Sequence, residues 1–151
     1  MKLINPDVTI LPQSKGLEGV YKQIEIAGRT CYKSEDKITE DSCEEFVQRM
    51  INNGHTAMLE HGTVYLKVPI NEWISDKHEW EYMFPPELPW VDTDFDKRYA
   101  YITTNYRHIV EEKIKTGMIQ KYWSEPTEFH EKRITARFTC DRGVSHKRFV
   151  A

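Results

Sequence analysis

The feature that constrains this chain most is a helix that ends at a glycine and leads through a polar connection into a strand. Residues 39–53 carry apolar side chains at helical spacing, and Gly54 follows where a helix end favours positive φ. Over Thr63–Val68 every second residue is aliphatic, the period of a half-buried strand. Between them lies Gly54–His61, which we name the histidine connection. A connection between rigid elements is a common place for a site.

The first half of the chain also predicts how this helix begins and packs. Ser42 followed by Glu45 has the pattern of a capping box, which predicts the helix start. Phe46 and Met50 lie on one apolar stripe and are expected to face a sheet. An upstream helix is predicted over residues 16–31, where apolar side chains recur at spacings of three and four.

Residues 69–104 differ in character, because they combine many aromatic side chains with prolines. The prolines argue against a regular helix there. We expect an aromatic- and proline-rich insertion packed on the core, with short strands near Trp80–Phe84 and at Ala100–Thr103.

The remaining elements complete the prediction of the fold. Asn105 is expected to cap a helix that runs to about Thr116 and stops at Gly117. Residues 8–11 and 133–140 predict strands. The order of elements predicts a single α+β domain over residues 1–151, with helices packed on a mainly antiparallel sheet.

Composition narrows the classes of partner. The net charge of −3 is too close to neutral to indicate nucleic-acid binding by charge alone. No apolar run approaches the roughly 18 residues of a membrane span. An odd number of cysteines, three, suits a reducing compartment. We therefore expect a cytoplasmic protein that binds neither nucleic acid nor membrane.

Its residue types alone do not indicate a metal site in the histidine connection, and purely structural roles for its polar side chains stay open. His55 and His61 are six positions apart, which fits neither two metal ligands on one helical face nor a zinc-finger pair. His55 is compatible with simple packing at a helix–strand junction. Glu60 beside His61 is equally compatible with a solvated pair.

Four segments, taken in order, resemble one family. The histidine connection and the strand after it resemble the Gly-His-x-x-x-Leu-Glu-His segment of the flavin-dependent thymidylate synthases, also called thymidylate synthase complementing proteins. Ala27–Tyr32 is similar to that family's Ala-Ala-Arg-x-Cys/Ser-Tyr segment. Glu125–Arg133 and Phe138–His146 resemble a subgroup with a longer middle insertion. The resemblance covers about residue 20 to residue 146.

The end of the chain departs from the family pattern. The family continues as Glu-x-Val-Arg-His-Arg and reaches a Ser-x-Arg-Tyr loop, whereas this sequence reads Ser145-His146-Lys147-Arg148-Phe149-Val150-Ala151. Lys147 stands where the family has a nucleotide-contacting carboxylate. The resemblance therefore implies the N-terminal part of a family domain, which we expect to be inactive alone and to bind FAD weakly or not at all.

The resemblance implies an enzyme of nucleotide biosynthesis. The family methylates dUMP reductively to dTMP with bound FAD, NADPH as reductant and methylenetetrahydrofolate as one-carbon donor, in a homotetramer whose sites are shared between subunits. By position, His55 is implied as the catalytic residue near the flavin ring, and no metal is implied. The implied cofactor contacts are Cys31, Thr56, Ala57, Glu60 and His61, and the implied substrate contacts are Arg142 and His146.

Two other functions remain open at this point. The first is a non-catalytic homologue that serves as a flavin- or nucleotide-binding or assembly subunit. The second is a metal-dependent hydrolase built on the histidines, which metal analysis of the purified protein would test. Arg29, Arg137 and Arg142 remain as cations for a phosphate, although an arginine on an exposed strand face or turn is usually just solvated.

Overall fold

The computed structural model describes residues 4–141. Arg142 and His146 therefore lie outside the described residues. The order of elements is β1 (Asp7–Leu11), α1 (Gly16–Tyr32), a 3₁₀ turn (Glu35–Lys37), α2 (Ser42–Asn52), a 3₁₀ helix (Thr56–His61), β2 (Thr63–Pro69), α3 (Ile70–Ser75), α4 (Lys77–Met83), β3 (Asp92–Phe95), β4 (Tyr99–Asn105), α5 (Tyr106–Glu111), α6 (Thr116–Tyr122) and β5 (Thr135–Thr139).

These elements form two compact units, which are described separately. Gln13–Arg133 contains the helices and an antiparallel sheet of order β2-β4-β3. The other unit contains an antiparallel ribbon of β1 and β5. The predicted α+β class, with helices and antiparallel sheet, is confirmed. No helix within residues 4–141 has both the length and the apolar character needed to cross a bilayer.

In the ribbon, apolar residues alternate with polar residues along both β1 and β5. Val8 lies opposite Phe138, and Ile10 lies opposite Ala136. Since side chains opposite each other in an antiparallel pair lie on the same face, these four residues share one apolar face. The predicted strands are confirmed, with β5 shorter than the alternating stretch of residues 133–140.

The three-stranded sheet forms the core beside the histidine connection. Val64, Leu66 and Val68 of β2 are fully buried, which confirms the predicted alternation. Tyr65, on the opposite face of β2, is also buried, and its ring meets the His130 ring edge-on at 5.2 Å. The second face of this strand is therefore covered as well.

Helix α2 packs on α1, and both its N-terminal cap and the orientation of Phe46 differ from the predictions. Asp41 is its N-cap residue and makes no side-chain cap. Ser42 Oγ instead donates to the Glu25 carboxylate at 2.8 Å, so the predicted capping box is wrong. Phe46 packs against α1 rather than toward the sheet. Its ring lies directly over Gly28 of α1, where an added Cβ would be only 2.5 Å from Phe46 Cζ. Glycine permits this close approach of the two helices.

Residues 69–104 contribute helices as well as strands. The predicted strand at 80–84 is wrong, because Lys77–Met83 is helical. Pro85 is the first proline after this helix, so the prolines end α4 instead of preventing it. The short helices are anchored by Trp73 and Trp80, two buried rings stacked at 5.8 Å. The strand predicted at 100–103 is confirmed within β4, the central strand of the sheet.

The helix after β4 is shorter than its apolar pattern. Asn105 caps it as predicted, and its Oδ1 accepts a hydrogen bond from the His108 N–H at 2.9 Å. The helix ends at Glu111 because Lys113 adopts a left-handed φ of 54°. Gly117, predicted as the stop, lies inside α6.

Candidate functional site

The histidine connection is a short 3₁₀ helix held between α2 and β2. Gly54 has a φ of +69°, as predicted for the residue that ends α2. The His55 N–H donates to the Met50 carbonyl at 2.8 Å, which fixes where the connection leaves α2. Its far end is fixed by Gly62, where an added Cβ would lie 2.5 Å from Val20 Cγ1.

The 3₁₀ geometry determines which side chains of the connection are buried and which are exposed. Residues three apart lie above each other in such a helix. Leu59 is fully buried and anchors the segment in the core. Ala57 and Glu60, three apart, are exposed together, and His61 is exposed on a neighbouring row. The connection therefore presents its polar groups to solvent from a well-anchored backbone.

A contact between Tyr32 and His55 joins the end of α1 to the connection. The Tyr32 hydroxyl lies 3.1 Å from His55 Nδ1, although the two residues are 23 positions apart. Their rings are stacked, with centroids 6.2 Å apart and planes inclined by 28°. Cys31, the residue before Tyr32, is an exposed free thiol. Two of the segments that contain predicted site residues, Ala27–Tyr32 and the histidine connection, therefore meet at this contact.

Four polar residues tie the connection to α5. Arg107 Nη1 donates to Glu60 Oε1 at 2.6 Å, and Arg107 Nε donates to Glu111 Oε1 at 2.8 Å. Thr56 Oγ1 donates to the same Glu111 oxygen at 3.0 Å. The hydrogen bond from Arg107 lowers the pKa of the Glu111 carboxyl. These contacts orient the Glu60 carboxylate at the surface.

A cavity of about 190 Å³ opens beside this network. Its lining residues are Glu60, Trp90, Asn105, Arg107, His108 and Glu111. Small-molecule sites usually enclose about 300–1,000 Å³, so this cavity alone cannot enclose a dinucleotide. This cavity is therefore smaller than a usual small-molecule pocket.

The sequence-predicted residues divide into three groups. His55, Thr56 and Glu60 each make a polar contact at the site. Ala57, His61 and Cys31 are exposed. Arg142 and His146 lie outside the described residues.

Arg29 does not serve as a free cation. Its Nε donates to Glu25 Oε1 at 2.7 Å, and the side chains of Arg29 and Glu25 are 7% and 2% exposed. Arg29 is buried because α2 covers it, and the centroid of the Phe46 ring lies 4.9 Å from its guanidinium carbon. A buried, paired arginine is not available to a phosphate.

Sequence reasoning missed Arg107 and the role of Tyr32. Arg107 and Glu111 have the i, i+4 spacing of a helical ion pair, a signal that is present in the sequence. Its contact with Glu60 spans 47 positions and has no local signal. Tyr32 belongs to the segment that carries the family resemblance, but nothing in the sequence indicates its contact with His55.

Two further histidines are buried and fully hydrogen-bonded. His130 Nε2 donates to the Leu66 carbonyl at 2.9 Å, and its Nδ1 accepts from the Thr127 N–H at 3.0 Å. His108 is held in the same manner between the Met83 carbonyl and the Trp90 indole. Since both nitrogens of each ring are used, these histidines support the fold rather than chemistry.

The burial of His130 predicts a pH dependence of stability. Burial lowers the pKa of His130 in the folded state, whereas in the unfolded chain histidine titrates near about 6.5. Below that pH the unfolded state binds the additional proton, so the free energy of unfolding is expected to fall as pH decreases from about 6.5. Urea unfolding between about pH 7.5 and 5 measures this slope.

The control for this prediction is a matched pair of variants. His130→Gln is expected to flatten the slope, whatever it does to stability at neutral pH. His78→Gln, at an exposed histidine, should keep the slope. An unchanged slope in His130→Gln would contradict the assignment.

Residues 4–141 contain no group of three or more histidine, cysteine, aspartate or glutamate side chains placed to hold a metal ion. No family model matches the chain, and neither the curated proteins nor the solved structures include a significant match.

Proposed function

We propose that the histidine connection is the cofactor-contacting part of a flavin-dependent thymidylate synthase, in which FAD, NADPH and methylenetetrahydrofolate convert dUMP to dTMP. The observation that supports this most is the 3.1 Å contact between Tyr32 and His55. It brings together Ala27–Tyr32 and Gly54–His61, the two segments whose sequences resemble the family.

The groups present suit one edge of a flavin. When bound, FAD would supply the hydride, and the protein would supply orientation and charge. Glu60 offers carboxylate oxygens as acceptors for N–H and O–H groups, and Arg107 donates to one of them, Oε1. His55 and Tyr32 add an exposed aromatic pair at the same surface. Ala57 leaves room beside Glu60 for a ligand to approach.

The size of the cavity favours a site shared between copies of the chain. About 190 Å³ is too small for FAD, so further walls must come from elsewhere. We therefore infer a homo-oligomer in which a second subunit completes the pocket, as the family resemblance implies. Cys31, Thr56, Ala57 and His61 would line the same surface.

Titration with FAD tests the proposal. Glu60→Ala is expected to weaken FAD binding about 10-fold or more, because hydrogen bonds to charged groups are worth about 1.5–3 kcal/mol. Quenching of flavin fluorescence on binding gives the dissociation constant. The matched control is Glu81→Ala, since Glu81 is also partly exposed and ion-paired, to Lys77 at 3.5 Å. Equal affinities of the two variants for FAD would contradict the role of Glu60.

A non-catalytic homologue is the second candidate. The observation in its favour is that the carboxylate of Glu60 is already ion-paired with Arg107 at 2.6 Å. Incubation of the chain, extended by a family-like Arg-His-Arg segment, with dUMP, FAD, NADPH and methylenetetrahydrofolate separates the two. The enzyme forms thymidylate, whereas a binding or assembly subunit takes up FAD and forms none.

A further inference from the structure

We propose that Tyr32 is a positioning residue that fixes the tautomer of His55, so that His55 presents Nε2–H to the ligand as a hydrogen-bond donor. The identity of the ligand, a flavin, rests on the proposed function. The tautomer itself rests only on contacts between described residues. Tyr32 acts through His55 and need not touch the ligand.

The Tyr32 ring is held in place by the end of α1. Tyr32 is the last residue of this helix, and Lys33 follows in a left-handed conformation with a φ of 51°. The Ser34 N–H donates to the Arg29 carbonyl at 2.9 Å and closes the helix end. Such a cap fixes the direction of the last side chains of the helix.

The His55 ring is held by the end of α2. The His55 N–H donates to the Met50 carbonyl at 2.8 Å, after the left-handed Gly54. The imidazole then lies against the Tyr32 ring, with centroids 6.2 Å apart. Two independently capped helix ends thus bring the hydroxyl of Tyr32 to 3.1 Å from Nδ1.

This contact determines the roles of the two ring nitrogens. A neutral imidazole carries one N–H donor and one bare acceptor nitrogen. The 3.1 Å contact fits either direction of donation. We assign the phenol O–H as the donor, because a phenol hydroxyl is a better donor than an imidazole N–H and a bare imidazole nitrogen is a better acceptor than a phenol oxygen, so Nδ1 accepts and the ring proton resides on Nε2. Nε2 has no hydrogen-bond partner within residues 4–141, and His55 is exposed. The ring therefore offers an outward N–H.

An outward N–H selects a class of ligand group. It matches an acceptor such as a carbonyl oxygen or a bare ring nitrogen of a flavin. It excludes a role in which neutral His55 takes a proton from substrate through Nε2, because that role needs a bare Nε2. His55 is thereby assigned to binding and orientation rather than to general base catalysis.

Nitrogen NMR of the full chain tests the tautomer directly. With ¹⁵N-labelled histidine at about pH 8, His55 is expected to show Nδ1 as a bare nitrogen and Nε2 as an N–H nitrogen. Tyr32→Phe keeps the ring but removes the hydroxyl, and the two resonances should then move toward each other as both tautomers become populated. Tyr82→Phe, at an exposed tyrosine of α4, should leave them unchanged. His55→Gln assigns the resonances.

A protonated Nδ1 in the unaltered protein would overturn the inference, as would resonances that do not move in Tyr32→Phe. The fold is checked in each variant by its thermal midpoint. A merely structural role for Tyr32 would change the midpoint without changing the tautomer.

Flavin binding provides the second readout. Tyr32→Phe is expected to weaken FAD binding about 2- to 12-fold, the range for one hydrogen bond, and Tyr82→Phe should not. If the unaltered protein binds FAD and Tyr32→Phe binds it equally well, the donor role is wrong. If no form binds FAD while the tautomer depends on Tyr32, this chain does not bind a flavin and the positioning role stands.

Discussion

Replacing Phe46 by alanine is expected to lower the free energy of unfolding by about 3–5 kcal/mol. Phe46 is 2% exposed and belongs to the hydrophobic core cluster. Its ring fills the space above Gly28, and the guanidinium groups of Arg29 and Arg49 lie 4.9 and 5.4 Å from it. Truncation leaves a cavity that two capped helices cannot easily close. Urea denaturation followed by circular dichroism measures the loss.

Two variants make this prediction specific to the contact with α1. Tyr82→Ala, at a residue that is 81% exposed, should change stability by less than about 0.5 kcal/mol. Gly28→Ala combined with Phe46→Ala should lose less than the sum of the single changes, because the added methyl group enters the vacated space. A loss below about 1 kcal/mol in Phe46→Ala would mean that the ring is not part of the core.

Replacing Arg29 by methionine is expected to be equally severe, at about 3–5 kcal/mol. The change leaves the Glu25 carboxylate buried without its cation, and the side chain of Glu25 is only 2% exposed. The hydroxyl of Ser42, 2.8 Å from Glu25 Oε1, cannot replace a full positive charge. Chemical denaturation at neutral pH measures the effect.

Removing both charges should reverse much of this loss. Glu25→Leu with Arg29→Met replaces the pair by apolar groups, and such replacements are often neutral or stabilising. Lys22→Met breaks the exposed pair with Glu18 and should change stability little, because surface ion pairs contribute little. A double variant as unstable as Arg29→Met would show that the pair itself, and not the unpaired charge, determines the loss.

Local patterns predicted much of the scaffold beneath the candidate site. The alternation of β2, the periodicity of α1 and α2, and the left-handed Gly54 all act between near neighbours in the chain. Asn105 likewise caps α5, because its side-chain oxygen accepts a hydrogen bond from the backbone N–H of His108, the third residue of that helix. Each of these features depends on backbone sterics or on a hydrogen bond between residues that are close in the chain. The local sequence is therefore sufficient to predict them.

Patterns failed where packing outweighed local preference. The apolar spacing that includes Ile109 and Ile114 predicts one helix, but Lys113 turns left-handed and Ile114 is still buried. Residues 77–83 become helical because Trp80 stacks on Trp73 and Phe84 in the core. Helices of six or seven residues are marginal alone, so burial and not propensity forms them.

The sequence by itself determined the bounds of the histidine connection and therefore the side chains that it contains. Gly54 marks its start, and the strand after it marks its end. The sequence also contains the spacing of Glu25 with Arg29 and of Arg107 with Glu111. Only the tertiary structure decided that the first pair is buried and the second is exposed beside Glu60. The physical reason is that burial, desolvation and contacts between distant residues arise when helices pack, and no local rule specifies them.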